Sequence, residues 1–155
     1  MNPNFSDDYG RTPLSHAARS GYEGIVRLLL ETGHAKPYLA DKDRRTPLSH
    51  AAGSGHESVV KVLLVIGHVD PNLADLDGRT PLSHAARSGY EGVVRLLLDT
   101  GRANPYLADR DGRTPLSHAA GSGHESVVNL LQEQGDVNTD LWDENCWTPF
   151  EHAAG

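Results

Sequence analysis

The sequence predicts an all-α solenoid of stacked helix–turn–helix units, each with a projecting hairpin or loop finger. Three observations predict it. The segment TPLSHAA begins at Thr12, Thr46, Thr80 and Thr114, and an altered copy, TPFEHAA, begins at Thr148. The spacing is 34 residues every time, and a fixed period of that length marks one supersecondary unit whose apolar face only its neighbours can bury. Within each copy, caps, glycine breakers and apolar spacing recur in the same order. Residues 1–155 read as a single domain, with repeats at about 11–44, 45–78, 79–112 and 113–146 and a partial fifth at 147–155.

The second repeat shows how each element arises. Thr46 is placed to cap a first helix, and Pro47 suits its opening position, where a missing N–H costs nothing. Leu48, Ala51 and Ala52 fall at i, i+3 and i+4, which gives a short helix one narrow apolar face. Gly53-Ser54-Gly55 ends it, since glycine enters the left-handed region without strain. A second helix starts near Glu57 and carries Val59, Val60, Val62, Leu63 and Leu64 around much of its circumference until Gly67. Residues 68–78 hold Pro71, Asn72 and Asp75-Leu76-Asp77-Gly78, a turn-forming finger. The same reading puts helices at 12–20 and 23–32, with equivalents in every later copy. Helices this short are marginal alone, so the stack must hold them.

A 34-residue period is also the tetratricopeptide length. The residues decide between the two, because the large aromatics that a tetratricopeptide unit keeps at fixed places are absent. TPLSHAA, then G(H/Y)E, a VV.LLL run, a glycine and a polar DxDGRTPL finger together resemble the ankyrin repeat over nearly the whole chain. The usual ankyrin period is about 33 residues. Here the extra residue falls after the glycine closing the second helix, at His34, His68, Arg102 and Asp136. Long units with TPLS and a GHVDPN-like turn are similar to those of fungal ankyrin arrays. Such arrays often form the variable recognition end of NACHT-type receptor proteins, so the resemblance implies a parent of that kind.

A second period overlies the first. Repeats one and three share ARSGYEG, from Ala18 and Ala86, whereas two and four share AGSGHES, from Ala52 and Ala120. Duplication of a two-repeat block accounts for this. Asn2-Pro3-Asn4 aligns with Asp70-Pro71-Asn72, and the chain stops at Gly155 after the first helix of a fifth repeat. Neither end carries a polar capping repeat, so a piece of a longer array is expected. Trp147, Pro149 and Phe150 would leave apolar surface at one end, and the reverse face of Leu14, Ala17 and Val26 would be offered at the other. End-to-end self-association into a structural stack is therefore the alternative function.

Charge and composition exclude several classes. A formal charge of −7 disfavours nucleic acid, whose nonspecific binding needs basic groups to neutralise phosphates. No run of apolar residues is long enough to span a membrane, and MNPNFSDDYG has neither the basic start nor the apolar core of a secretory signal. The lone Cys146 can form no internal disulfide or four-cysteine zinc site. A soluble, cytoplasmic protein is expected.

Candidate chemistry is sparse. Asp41-Lys42-Asp43, Asp75-Leu76-Asp77, Asp109-Arg110-Asp111 and the degenerate Asp143-Glu144-Asn145 have the look of calcium loops. Around Asp75, however, an EF-hand would need acidic residues where Leu73 and His84 stand. His56-Glu57 and His124-Glu125 begin like a zincin motif but lack the second histidine. His16, His50, His84, His118 and His152 recur once per repeat, which predicts a packing and hydrogen-bonding ladder rather than a metal site. Adjacent Ser-His pairs lack the oxyanion site and third partner of a nucleophile. No enzyme, metal or cofactor is expected. Leu130, Asp136, Val137 and Asn138 resemble the asparagine-hydroxylation pattern of some animal ankyrin repeats, although a turn asparagine is the simpler reading.

The resemblance implies another protein as partner, docked on the finger tips and the exposed side of the first helices. Carried over, that surface includes Arg11 and Arg19 in the first repeat and Lys42, Asp43, Arg45, Gly53 and Ser54 in the second. It continues through Leu76, Asp77, Arg79, Arg87 and Ser88 in the third, then Arg110, Asp111, Arg113, Gly121 and Ser122 in the fourth. Arg11, Arg45, Arg79 and Arg113 form a column bordered by Asp43, Asp77 and Asp111. Arginine is favoured at binding hot spots because it joins planar charge to apolar stacking. The same Asp–Arg pairs could instead satisfy one another as exposed ladders, each worth under ~1 kcal/mol.

Overall fold

A computed structural model describes residues 2–134. The partial fifth repeat, with Trp147, Thr148, Phe150 and His152, lies outside the described residues, as do Asn138, Asp143 and Cys146. Among the described residues there are eight helices and no strand. They come in pairs: α1 (Pro13–Ser20) with α2 (Glu23–Glu31), α3 (Pro47–Gly53) with α4 (Glu57–Val65), α5 (Pro81–Ser88) with α6 (Glu91–Asp99), and α7 (Pro115–Gly121) with α8 (Glu125–Gln132).

Local chemistry sets each first helix. Thr12, Thr46 and Thr80 accept a hydrogen bond at 3.2 Å from the backbone N–H of Ser15, Ser49 and Ser83, and Thr114 accepts one from Ser117 at 3.3 Å. Proline fills the next position in all four helices. At the far end Gly21, Gly55, Gly89 and Gly123 all have φ between 77° and 79°. Glycine is required at Gly21 for a second reason: a Cβ there would stand 2.6 Å from the ring of His56 in the next repeat.

The pairs stack in two layers. α1 packs on α3, α3 on α5 and α5 on α7, while α2, α4, α6 and α8 form the second row. Leu14, Leu48, Leu82 and Leu116 are at most 1% exposed and share one core with the alanine pairs beside them. Burying each such leucine contributes about 2 kcal/mol relative to leaving it in water. The second row adds Val59, Val60, Leu63, Val93, Val94 and Leu97, all inaccessible.

One expectation is corrected at the first repeat. Leu14, Ala17 and Val26 are buried rather than offered to a neighbour, because they lie in the core shared with the second repeat. Ile25 (50% exposed) and Leu28 (63%) face outward instead. Their equivalents Val59 (0%) and Val62 (4%) are covered.

Fingers are tied together along the stack. Each is closed by a backbone bond, such as Asp41 N–H to the Arg45 carbonyl at 2.9 Å, and linked to the finger before it. Lys42, Leu76 and Arg110 donate to the carbonyls of Tyr9, Asp43 and Asp77 at 3.0, 2.9 and 2.9 Å. Gly10 and Gly78 turn the tip with φ 79°, but in the finger between them Arg44 holds the corresponding place at φ 61°.

The two-repeat period is also visible at the seams. His56 Nε2 donates to the Arg19 carbonyl and His124 Nε2 to that of Arg87, both at 3.0 Å. Tyr90 replaces the histidine between the second and third repeats, and there Asn72 forms the clamp. Its amide donates to the Arg102 carbonyl at 2.8 Å and accepts from the Asn104 N–H at 2.7 Å. Asn4 makes the matching bonds to His34 and Lys36, both at 2.8 Å. Tyr38 and Tyr106 occupy this place in the other repeats and are exposed.

Candidate protein-binding surface

First helices and finger bases together enclose a groove of about 390 Å³. Arg11, Arg19, Arg45 and Arg87 line it with Ser54, Ser88 and Ser122, and among the described residues no carboxylate does. Its floor is shaped by the alternation of the duplicated block. Arg19 and Arg87 come from the last turns of α1 and α5, whereas α3 presents Gly53 between them.

Behind the groove runs a buried polar ladder. Asp41, Asp75 and Asp109 are 4–8% exposed. In each, one carboxylate oxygen accepts two backbone N–H groups, those of Asp43 and Arg45, Asp77 and Arg79, or Asp111 and Arg113, at 2.9–3.0 Å. The other oxygen meets the histidine of the first helix that follows: His50 Nε2 and His84 Nε2 at 2.8 Å, His118 Nε2 at 2.7 Å. That oxygen also faces the arginine at the base of the finger before it, Arg11, Arg45 or Arg79, whose Nε stands 3.7, 3.5 or 3.6 Å away. Asp7 and His16 form the exposed version at 2.8 Å.

Burial pushes His50, His84 and His118 below the ordinary histidine value, and the hydrogen bond to aspartate only partly offsets it. Flanking guanidiniums, Arg45 and Arg79 in the case of His84, push the same way. For Asp75 burial acts to raise the pKa, but the N–H groups of Arg79 and Asp77 together with His84 outweigh it and hold the carboxylate low. An ionised Asp75 can only accept, so the proton of the pair sits on His84 Nε2.

Sequence reasoning identified the histidine column and missed its anchor. Asp41, Asp75 and Asp109 were visible only as the first residues of DxD segments. The column of arginines is not bordered chiefly by Asp43, Asp77 and Asp111. Of those pairings the described structure has Arg79 with Asp77, at 3.4 Å, while the buried aspartate of the next finger is the recurring partner. Lys42, Asp43, Leu76, Asp77, Arg110 and Asp111 are exposed on the fingers, outside the groove lining. Arg79 and Arg113 are half-buried and do not line it either. Among the described residues no group of three His, Cys, Asp or Glu is placed to hold a metal ion, and no helix is long and apolar enough to cross a membrane.

Paired short helices in two rows, linked fingers and a groove across the first helices define an α-solenoid. The family model for ankyrin repeats (3 copies) matches the chain in overlapping placements over residues 1–72, 33–109 and 55–140. The chain belongs to the ankyrin-repeat family, whose repeats are generally protein–protein interaction modules and typically non-catalytic. Comparison with curated proteins gives no match.

Proposed function

We propose that this chain is a non-catalytic module that binds another protein on the concave face formed by its first helices and finger tips. The carrying observation is the groove itself. Its exposed arginines and serines cross several repeats, and Arg19 and Arg87 take no part in the ion pairs that hold the stack. The TPLS units and 34-residue period further support a place at the recognition end of a larger fungal, NACHT-type receptor-like protein in the cytoplasm. To test the binding face, Ser88→Trp and Ser122→Trp together fill the groove, while Lys61→Trp alters the outer row. Proteins retained from host-cell extract by the immobilised parent should be lost with the groove variant and kept with the outer one. Equal retention by both would refute the concave reading.

A second reading has its own observation. Phe5, Ile25 and Leu28 are 73%, 50% and 63% exposed on the first repeat, and exposed apolar surface of this kind seeks a partner. On this reading copies of the chain stack end to end. The mass in solution then rises with concentration, and Leu28→Glu suppresses the rise. A constant monomeric mass at high concentration removes this reading.

A further inference from the structure

We infer that the groove receives an extended, acidic segment of the partner, with its carboxylates seated on Arg19 and Arg87 and its middle passing Arg45 over Gly53. The inference rests on the concave reading above and names the chemistry that the face selects.

Charge separation is the first support. The chain carries a formal −7, yet among the described residues the groove lining is basic and polar with no carboxylate. Exposed acidic side chains lie elsewhere: Glu23, Glu57, Glu91 and Glu125 open the outer helices and Asp43, Asp77 and Asp111 sit on the finger tips, while Asp41 and Asp75 are buried behind the groove beside Arg11 and Arg45. His50 and His84 reach the groove, but burial keeps them neutral near pH 7, so its positive charge is arginine alone.

The state of those arginines is the second. Among the described residues Arg19 and Arg87 make no ion pair or side-chain hydrogen bond, and both are exposed. Arg11 and Arg45 approach a carboxylate most closely through Nε, with Arg11 also lying over the Tyr9 ring, and their terminal nitrogens face an incoming group. A basic residue in the last turn of a helix also suits the helix dipole. That effect would apply equally to α3, where Gly53 stands instead. Glycine there leaves an open floor between two guanidiniums, and a Cβ would meet nothing closer than His84 Cβ at 3.5 Å.

Spacing decides the kind of ligand. Packed helices lie roughly 8–10 Å apart, so two repeat steps separate Arg19 from Arg87 by roughly 16–20 Å. One small anion cannot reach both. An extended chain rising about 3.3 Å per residue spans that distance in five or six residues. A nucleic acid is disfavoured by the net charge and by a lining without aromatic side chains on which bases could stack. Hydroxyls of Ser54, Ser88 and Ser122 are suited to a peptide's backbone carbonyls.

The test uses a fluorescent dodecapeptide with glutamate at every third position in a Gly-Ser background, and the same peptide with glutamine. The full chain should bind the glutamate peptide, more weakly as salt is raised, and leave the glutamine peptide unbound. Arg19→Glu with Arg87→Glu should weaken binding about tenfold or more, and Gly53→Glu should do the same by placing a carboxylate mid-groove. Circular dichroism should stay helical in each, since none of these side chains joins the buried ladder. Equal binding of the two peptides, or glutamate-peptide binding unchanged by the charge reversals, would overturn the inference. A cellular partner lost from the tryptophan-filled groove yet retained by the charge reversals would overturn the acidic ligand while leaving the concave face standing.

Discussion

Arg45 Nε, at the base of one finger, stands 3.5 Å from Asp75 Oδ2 in the next finger along the stack. The same oxygen is 2.8 Å from His84 Nε2, and the other oxygen of Asp75 gathers two N–H groups of its own finger. One carboxylate therefore holds its own finger, the first helix that follows and the base of the finger before it. Arg11 with Asp41 and Arg79 with Asp109 repeat the arrangement. Each of these three Nε atoms is buried and makes no geometric hydrogen bond, so the attraction is one of charge at slightly long range.

Removing the carboxylate should cost far more than removing the guanidinium. Asp75→Ala leaves His84 and two backbone donors without their acceptor, and we expect a loss of about 2–4 kcal/mol. Arg45→Ala gives up a half-exposed partner and should cost about 1 kcal/mol or less. Urea unfolding followed by circular dichroism compares them. A milder effect for Asp75→Ala than for Arg45→Ala would show that the arginine, not the aspartate, organises the seam.

The pH dependence has a definite sign. Burial holds His50, His84 and His118 below 6.5 in the fold, so the unfolded chain takes up protons first as the pH falls. Their contribution is complete above about pH 6.5 and declines below it, toward their depressed values. Asp75, held below 3.8, adds a further loss in stronger acid. The melting temperature should be level from neutral to mildly basic pH and drop on acidification, with a smaller drop after His84→Gln. A rise in melting temperature between neutral and mildly acid pH would mean that the pairing with aspartate outweighs burial.

Arg44 occupies a left-handed position that the neighbouring fingers give to Gly10 and Gly78. A non-glycine residue there carries about 1 kcal/mol or more of strain. Arg44→Gly also frees the unfolded chain, which takes back part of the gain. We expect a net stabilisation of about 0.5–1 kcal/mol, read as a higher urea midpoint. An unchanged or lower midpoint would mean that the arginine side chain contributes contacts worth as much as the strain.

Alternating clamps predict alternating sensitivity. Asn72→Ala removes both side-chain bonds to the third repeat and should cost about 1–2 kcal/mol. Tyr38, at the same place one repeat earlier, is 58% exposed. Tyr38→Ala should change stability by about 0.5 kcal/mol or less. Similar losses from the two changes would remove the distinction between seams.

Elements formed by neighbours in the chain were legible without coordinates. The Thr-Pro start of each first helix, the glycine at its end and the Val-Leu face of the second helix follow from contacts within a few residues. Predicted bounds of 12–20 and 23–32 met observed helices Pro13–Ser20 and Glu23–Glu31. Contacts between repeats were hidden. Arg45 finds Asp75, and Asn72 finds Arg102, across thirty residues of chain, and nothing in local spacing prefers Asp75 to the nearer Asp43. The ladder could have been suspected from one signal: Asp7, Asp41, Asp75 and Asp109 keep step with the histidines in every copy. The groove was harder to foresee, because its shape depends on which arginines remain after the seams have taken theirs.

The seam chemistry constrains how such an array can lengthen or shorten by recombination. Histidine clamps are supplied by the second and fourth repeats to the unit before them, and the asparagine clamp by the second repeat to the unit after it. Excising the second unit would join first to third, a junction whose partners offer Tyr90 and Tyr38 and so neither clamp. Excising or inserting two units keeps every junction matched. The gene can therefore change its copy number in steps of two without weakening the product, and each such step adds or removes one Arg–Gly pair along the groove.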